Sequence, residues 1–162
     1  MESVAGDSRP AVVIQKDGLP DQPRFSPDGR WIAFDAFDSG TVAGTFQYQV
    51  FVSAFPPRGD PQRITSRGGV QPMWRADGRE LFYLDHVGNL MAVDVNTAAS
   101  SLTVGSPRYL FNTGLRKVSP VVEDYAVSGD GLRFLIKLPV EVDAQTGFTI
   151  VLNWPGLLAG RK

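Results

Sequence analysis

Two side chains have the chemistry for nucleophilic or acid–base catalysis, and neither belongs to a catalytic motif. His86 is the single histidine and the one conventional general base near neutral pH. It lies in the segment LDHVGN, where a turn between two strands is expected, so we interpret it as a solvated turn residue rather than a ligand-facing one. Ser8 follows Gly6 and Asp7, but the G-x-S-x-G pattern of a nucleophile elbow is absent. The sequence therefore predicts no catalytic residue.

Three aspartates, Asp28, Asp77 and Asp130, carry oxygen ligands of the kind that calcium prefers. Their spacing does not fit an EF-hand, which places its ligands within about twelve residues. Each aspartate precedes a glycine, and an Asp-Gly pair suits a tight turn because glycine accepts a positive φ without a steric clash. With no cysteine and one histidine, thiolate and multi-histidine metal sites are excluded. We predict turns here, no metal site and no cofactor.

These Asp-Gly pairs belong to a repeat. They lie in PRFSPDGRWIAF, PMWRADGRELFY and YAVSGDGLRFLI, and the aspartates are 49 and 53 residues apart (77 − 28 and 130 − 77). An apolar residue stands three positions before each aspartate, and two more stand four and six positions after it. This alternation on both sides of a tight turn predicts a β-hairpin in each repeat. A period near fifty residues is typical of one propeller blade.

Further strand candidates follow each hairpin. The third strands are YQVFVSAF from Tyr48, NLMAVDV from Asn89 and FTIVLNW from Phe148, which are rich in β-branched and aromatic residues. Short fourth strands, QRIT from Gln62 and PRYLF from Pro107, follow the first two only. The sequence predicts an all-β fold, a β-propeller segment of about three four-stranded antiparallel blades, that is, a partial or half propeller.

The division of the chain follows from these strands. AVVIQ, from Ala11, has no hairpin before it, so we interpret it as an orphan outer strand that could complete another blade. The predicted segments are a mobile tail at 1–9, the propeller blades at 10–154 (orphan strand 10–16, blade one 22–66, blade two 70–112, blade three 122–154) and a C-terminal tail at 155–162.

Aromatic side chains recur at equivalent repeat positions, which predicts packing between sheets rather than a platform for bases or sugars. The predicted core aromatics are Phe25, Phe34, Trp74, Phe82, Tyr83 and Phe134. Trp31 is out of phase with its neighbours and Trp154 ends the last strand, so either could be exposed.

The arginines interleave with acids, which predicts a mixed, solvated surface. Some of them could line a channel and bind an anion or an acidic peptide terminus.

The ordered succession of FSPDGRWIAF, GGVQPMWRADGRELFYLD, GNLMAVDV, PRYLF, YAVSGDGLRFLI and TIVLNW resembles the TolB-like (WD40-like, PD40) β-propeller repeats. More narrowly, it resembles the C-terminal blades of propellers appended to bacterial serine/threonine protein kinases. The resemblance covers roughly residues 10–154. It implies the ligand- or protein-sensing part of a larger bacterial signalling protein and favours an extracytoplasmic, periplasmic location.

Kinase, P-loop and nucleophile-elbow motifs are all absent from the chain, so the sequence predicts that it is not an enzyme. Three blades cannot close a ring, since propellers have about four to eight. Their end faces would expose large apolar patches. Either the chain is part of a larger propeller, or two copies pair as a homodimer into a six-blade ring.

Composition narrows the function classes. The chain has 162 residues, 43% of them hydrophobic, and a net charge of −1, which predicts one domain and gives no electrostatic case for nucleic acid or an anionic membrane. We predict a non-catalytic binding or interaction module for a protein, peptide or small ligand on a propeller face. Two alternatives stay open: the propeller portion of a hydrolase or peptidase, and a self-assembling scaffold with no ligand. The sequence does not identify binding residues.

Overall fold

The computed structural model describes residues 20–39, 48–97 and 101–139. Over these ranges the chain is all-β, with eleven strands and no helix, and so no helix that could cross a membrane. The strands are β1 Pro20–Phe25, β2 Trp31–Phe37, β3 Tyr48–Ala54, β4 Gln62–Arg63, β5 Val70–Trp74, β6 Glu80–Leu84, β7 Asn89–Asn96, β8 Thr103–Val104, β9 Arg108–Asn112, β10 Tyr125–Val127 and β11 Phe134–Ile136. The predicted all-β fold class is confirmed.

Blade one is an antiparallel four-stranded meander in the order β1-β2-β3-β4. Its two long central strands are in continuous register, with Trp31 opposite Ala54 and Phe37 opposite Tyr48. All but the last of the β2 residues are buried. Both faces of β2 are therefore buried, and blade two covers one of them.

Blade two repeats this pattern. Strands β5, β6, β7 and β9 pair antiparallel in that order, and the short β8 pairs with the end of β7. Blade three is described as the hairpin β10–β11, in which Tyr125 faces Ile136 and Val127 faces Phe134. The predicted strands AVVIQ and FTIVLNW, both tails, Ser8 and Trp154 lie outside the described residues.

The three Asp-Gly pairs form the same turn. In each, the aspartate Oδ1 accepts a hydrogen bond from the backbone N–H two residues later, from Arg30 at 3.1 Å, Arg79 at 3.0 Å and Leu132 at 3.0 Å. The glycine that follows each aspartate has a φ between 70° and 72°. The carboxylates thus cap the hairpins, as the repeat predicts, because an oxygen two residues upstream satisfies an amide that the strands leave unpaired.

Blades one and two pack face to face through an apolar cluster. Its buried members are Trp31, Ala33, Val50, Val52 and Ile64 from blade one, with Trp74, Leu81, Tyr83, Val93 and Val95 from blade two. The indole Nε1–H of Trp74 also donates to the carbonyl of Arg24, at 3.1 Å. This bond satisfies the indole N–H, which burial would otherwise leave without a hydrogen-bond partner.

Blades two and three pack through a second cluster on the other side of blade two. It joins Val70, Phe82, Leu84, Leu90 and Ala92 to Tyr125, Phe134 and Ile136, together with Leu115 and Val118 from the connecting segment. Phe82 meets Phe134 edge to face, with ring centroids 5.2 Å apart. Blade two is therefore buried on both faces by its neighbours.

The structure answers the open question of Trp31 and shows that the prediction for Phe25 is wrong. Trp31 is only 8% exposed, because its phase turns it toward blade two while Ile32 and Phe34 face the opposite side of blade one. Phe25, predicted in the core, is 57% exposed. It occupies the repeat position of Trp74, but it pairs with Ile32 and so lies on the side of blade one that faces away from blade two.

Blade one also carries apolar residues on the side that faces away from blade two. Ile32, Phe34, Ala36 and Phe51 form a separate cluster on this side and are all buried. At the margin of this side, Phe25 packs edge to face on Phe55, with centroids 5.1 Å apart, and Phe55 is 37% exposed. Among the described residues, these two form an accessible aromatic pair at this end.

The repeat offers a matched test of blade packing. Trp74→Ala should lower the free energy of unfolding by about 3–5 kcal/mol, because it removes a buried indole from the interface between blades. Phe25→Ala, at the same repeat position, should cost less than about 1 kcal/mol, because its ring is largely exposed. Urea titration followed by circular dichroism measures both. Equal losses in the two variants would show that the interface does not carry this stability.

Candidate functional site

The three Asp-Gly turns lie at one end of the blades. The N–H of Ala76 donates to the carbonyl of Gly129 at 3.1 Å and so joins the second turn to the third. A Cβ placed on Gly78 would lie 3.6 Å from the ring of Pro27, so the first and second turns are also in contact. Because Trp31 pairs with Ala54, the β3–β4 connection reaches the same end. We call this end, comprising residues 26–30, 55–61, 75–79 and 128–132, the turn face.

Cavity one opens on the turn face at the outer part of blade one, with a volume of about 240 Å³. Its lining combines apolar and charged side chains: Trp31, Val52, Ala54, Phe55, Pro56 and Leu102, with Arg30, Arg58, Asp60 and Gln62. Arg30 is held by Asp28 at 2.8 Å. The Arg58 guanidinium has no hydrogen bond or ion pair with any residue that the structure describes, so it is available to an anion.

Cavity two lies between the first two turns and has a volume of about 730 Å³. It is polar, and its lining includes Arg30, which it shares with cavity one. Arg75, also in the lining, is bound to Asp77 at 2.6 Å and to Glu80 at 2.9 Å. The hydrogen bond from Arg75 is the main reason that the pKa of Asp77 falls to about 2. Two of the three arginines that line cavity two, Arg30 and Arg75, are therefore paired with aspartates of the same lining.

Four arginines of the predicted solvated surface line these cavities, namely Arg30, Arg58, Arg75 and Arg79. Arg30 and Arg79 each follow an Asp-Gly pair directly, and this is the one feature by which the sequence marks them. Nothing in the sequence distinguishes Arg58, because its position depends on how the β3–β4 connection folds back over Trp31. Sequence reasoning therefore missed these lining residues as a group.

His86 lies far from this group in the topology. It is exposed in the turn between β6 and β7, at the opposite end of blade two. Asp85 organises that turn, because its Oδ1 accepts the N–H groups of Val87 and Asn89, both at 2.9 Å. His86 lines neither cavity one nor cavity two. Within the described ranges, no group of three or more His, Asp or Glu side chains could hold a metal ion.

A buried polar network around Gln71 links the three blades. The Gln71 N–H donates to Asp35 Oδ2 at 2.7 Å, and its side-chain Nε2 donates to Asp124 Oδ2 at 2.9 Å and to the Ser119 carbonyl at 2.7 Å. In return, the Asp124 N–H donates to Gln71 Oε1 at 2.8 Å, and the Tyr125 hydroxyl donates to the Gln71 carbonyl at 2.8 Å. Gln71 is 1% exposed.

The backbone of Gln71 is suited to this role. Its φ is 58°, and a β-bulge separates Val70 from Met73 in the pairing with β6. The bulge frees the Gln71 N–H from its own sheet and aims it at blade one. Gln22 has the same repeat position, a φ of 49° and the same kind of bulge. A Gln-Pro pair inside a predicted strand, present twice in the sequence, is the signal that could have located this feature.

Asp35 is the unusual member of the network. It is fully buried, and its Oδ1 is the one buried side-chain N or O atom of the described residues that lacks a hydrogen-bond partner. Burial raises the pKa of Asp35 to about 7; the Gln71 bond opposes this rise, and the charge of Asp21, its register partner across β1–β2, adds to it. The pKa of Asp35 therefore lies near neutrality although its side chain has no contact with solvent.

Comparison with known proteins finds similarity among solved structures. The chain matches no family model and no curated protein. Among solved structures it is similar to the crystal structure of a putative 6-phosphogluconolactonase from Bacteroides uniformis ATCC 8492, with 20% sequence identity and a TM-score of 0.48. The match covers 80% of this chain and 36% of that one. The chain thus spans about a third of the length of the protein that it matches.

The prediction that the chain is not an enzyme is corrected by this match, because the matching protein is named as a lactonase, which is an enzyme. The prediction rested on missing kinase, P-loop and nucleophile-elbow motifs. The absence of each motif excludes only the chemistry that requires it.

The Gln71 network predicts that alanine variants at two equivalent repeat positions, Gln71 and Gln22, differ strongly in stability. Gln71→Ala should lower the free energy of unfolding by about 3 kcal/mol, since it removes the partner of the buried Asp124 and of the half-buried Ser119 carbonyl. Gln22→Ala should cost less than about 1 kcal/mol, because no described residue accepts a hydrogen bond from the Gln22 side chain. Chemical denaturation measures the free energy of unfolding of both variants. A Gln71→Ala variant as stable as Gln22→Ala would contradict the role given to the network.

The raised pKa of Asp35 predicts how the stability of the fold depends on pH. Because the folded state raises the pKa of Asp35 from 3.8 to about 7, the folded state binds more protons than the unfolded state within that window. Stability should therefore fall as pH rises from about 4 to about 7. Asp35→Asn removes the charge and keeps an acceptor for the Gln71 N–H. It should flatten this slope and raise the free energy of unfolding by about 2 kcal/mol at about pH 8.

Thermal and urea unfolding across this pH range provide the measurement. Asp60→Asn is the matched control, because Asp60 is exposed and should keep the slope of the parent chain. An Asp35→Asn variant with the parent's slope would show that Asp35 is not the titrating group.

Proposed function

We propose that this chain forms blades of a TolB-like β-propeller whose turn face binds a segment of a protein or peptide. The observation that supports this most strongly is the placement of cavity one and cavity two side by side on the turn face, joined by Arg30. Loops that a rigid β-scaffold carries at one end are a frequent place for binding residues. Arginine and aromatic side chains at such a surface are the types that dominate protein recognition.

The charge pattern favours a polypeptide over nucleic acid. Each arginine at the turns has acids nearby, as in the Arg30–Asp28 and Arg75–Asp77 pairs. A surface of interleaved charges recognises a partner by local complementarity, whereas nucleic acid requires a continuous basic stripe. The net charge of −1 agrees with this choice.

We further propose that other blades complete the ring, in a larger signalling protein or in a second copy of the chain. A closed propeller has about four to eight blades, and the described residues form two blades and one hairpin. The resemblance to sensor propellers supports the signalling role. The coverage of 36% of the matching solved chain agrees with a part of a larger assembly.

A peptide selection tests the turn face. Random peptides displayed as loops, fused at both ends, are selected on the purified chain, and the enriched peptides are then measured on two charge-reversal variants. Arg58→Glu should weaken their binding by about tenfold or more, because it reverses a charge in cavity one. Lys117→Glu makes the same change in charge in the β9–β10 connection, at the opposite end, and should leave binding unchanged. No enriched peptide, or equal loss in both variants, would contradict the proposal.

A further inference from the structure

Resting on the proposed turn-face function, we infer that cavity one is a specific subsite for the free carboxyl terminus of a peptide whose last side chain is apolar. The inference joins three properties of the cavity, namely its apolar floor, the guanidinium groups at its rim and its size. Each property excludes a different class of ligand.

The floor of cavity one is apolar and preformed. Trp31 and Val52 are buried in the interface between the blades, at 8% and 1% exposure, so their positions are fixed by packing. Phe55 and Leu102 add apolar surface from two different blades. A floor of this kind gains from burying an apolar side chain and gains nothing from a charged one.

The rim carries more positive than negative charge. Arg30 and Arg58 are the cations of the described lining and Asp60 is its carboxylate. Arg30 uses its Nε and one Nη on Asp28, which leaves its other Nη without this bond. Arg58 keeps its whole guanidinium fork for a ligand, and this fork matches the two oxygens of a carboxylate. The rim therefore suits one carboxylate directly beside an apolar group.

The volume limits what enters. At about 240 Å³, cavity one lies below the range of about 300–1,000 Å³ that is usual for complete small-molecule sites. It has room for one side chain and its carboxylate, and the rest of the ligand must lie outside, along the turn face. A peptide terminus has this form, because its carboxylate and last side chain share one Cα.

Cavity two does not offer the same chemistry. Its lining carries as many carboxylates as guanidinium groups, namely Asp28, Asp77 and Asp94 beside Arg30, Arg75 and Arg79. Arg75 is held by Asp77, and the charge of Arg79 helps to lower the pKa of the same carboxyl. A carboxylate that enters cavity two must compete with these ion pairs. Cavity one has two guanidinium groups for one carboxylate, beside an apolar floor, and this difference determines the choice of site.

The test is an NMR titration of the chain with acetyl-Ala-Ala-Phe that has a free carboxyl terminus. The signals to follow are the Trp31 indole N–H and the Arg58 Nε–H, which should shift together. The carboxamide form of the same peptide should bind about tenfold or more weakly, since it loses the charge-assisted hydrogen bonds. Acetyl-Ala-Ala-Gly with a free carboxyl terminus should also bind more weakly, because it has no apolar side chain to bury.

Two variants locate the site. Arg58→Ala should weaken binding of the acid peptide about tenfold, and Arg58→Lys should give an intermediate loss because it keeps the charge without the fork. Lys117→Ala removes a cation at the opposite end and should have no effect. Equal affinity for acid and amide, no effect of Arg58→Ala, or no binding at millimolar peptide would overturn the inference.

A small acid separates a peptide terminus from a free metabolite. If 3-phenylpropionate binds as tightly as the acid peptide, the residues before the terminus contribute nothing and the assignment to a peptide is wrong. The selection with peptides fused at both ends is independent of this result. Loop peptides that bind through Arg58 while acid peptides fail would overturn this inference and leave the proposed function standing.

Discussion

The structure depends on one constraint: a polar backbone that is buried between two sheets must find its hydrogen bonds across the blade interface. Gln71 meets this constraint for three blades at once. Its N–H reaches Asp35 in blade one, and its side-chain amide closes a two-way exchange with Asp124 at the start of blade three. Apolar clusters drive the blades together but do not fix their register, since apolar contact has no direction. The Gln71 bonds supply that direction.

The register of the blades determines the turn face. Once β5 is fixed against blade one, the second turn lies beside the first, and the Ala76–Gly129 bond brings the third turn next to the second. The cavities are then consequences of small differences between repeats. Blade one has the β3–β4 connection with Pro56 and Arg58, which covers Trp31 and builds a cavity beside it. The repeated strands and turns form the scaffold, and the connection that differs between the blades forms the candidate site.

The sequence predicts the local part of this account well. Asp-Gly turns flanked by alternating apolar residues define hairpins, and the structure has those hairpins where the repeat predicts them. The alternation pattern does not give the orientation of Trp31, because β2 is buried on both faces and so loses the contrast that alternation provides. Nor does it give the exposure of Phe25, because the pattern does not say which side of blade one its neighbour covers. The Gln71 contacts join residues 36 and 53 positions apart. No local periodicity contains information on such pairs.

The central claim is that the blades form one cooperative unit, held together at Gln71. Native-state hydrogen exchange measures this most directly, at the amides of Gln71 and Asp124, which bond across two different interfaces. Our account predicts that both amides exchange only through global unfolding and share one opening free energy, because neither blade can leave without breaking the same network. An Asp124 amide that exchanges at a much lower free energy, while the Gln71 amide stays protected, would show that blade three opens independently and would contradict the account.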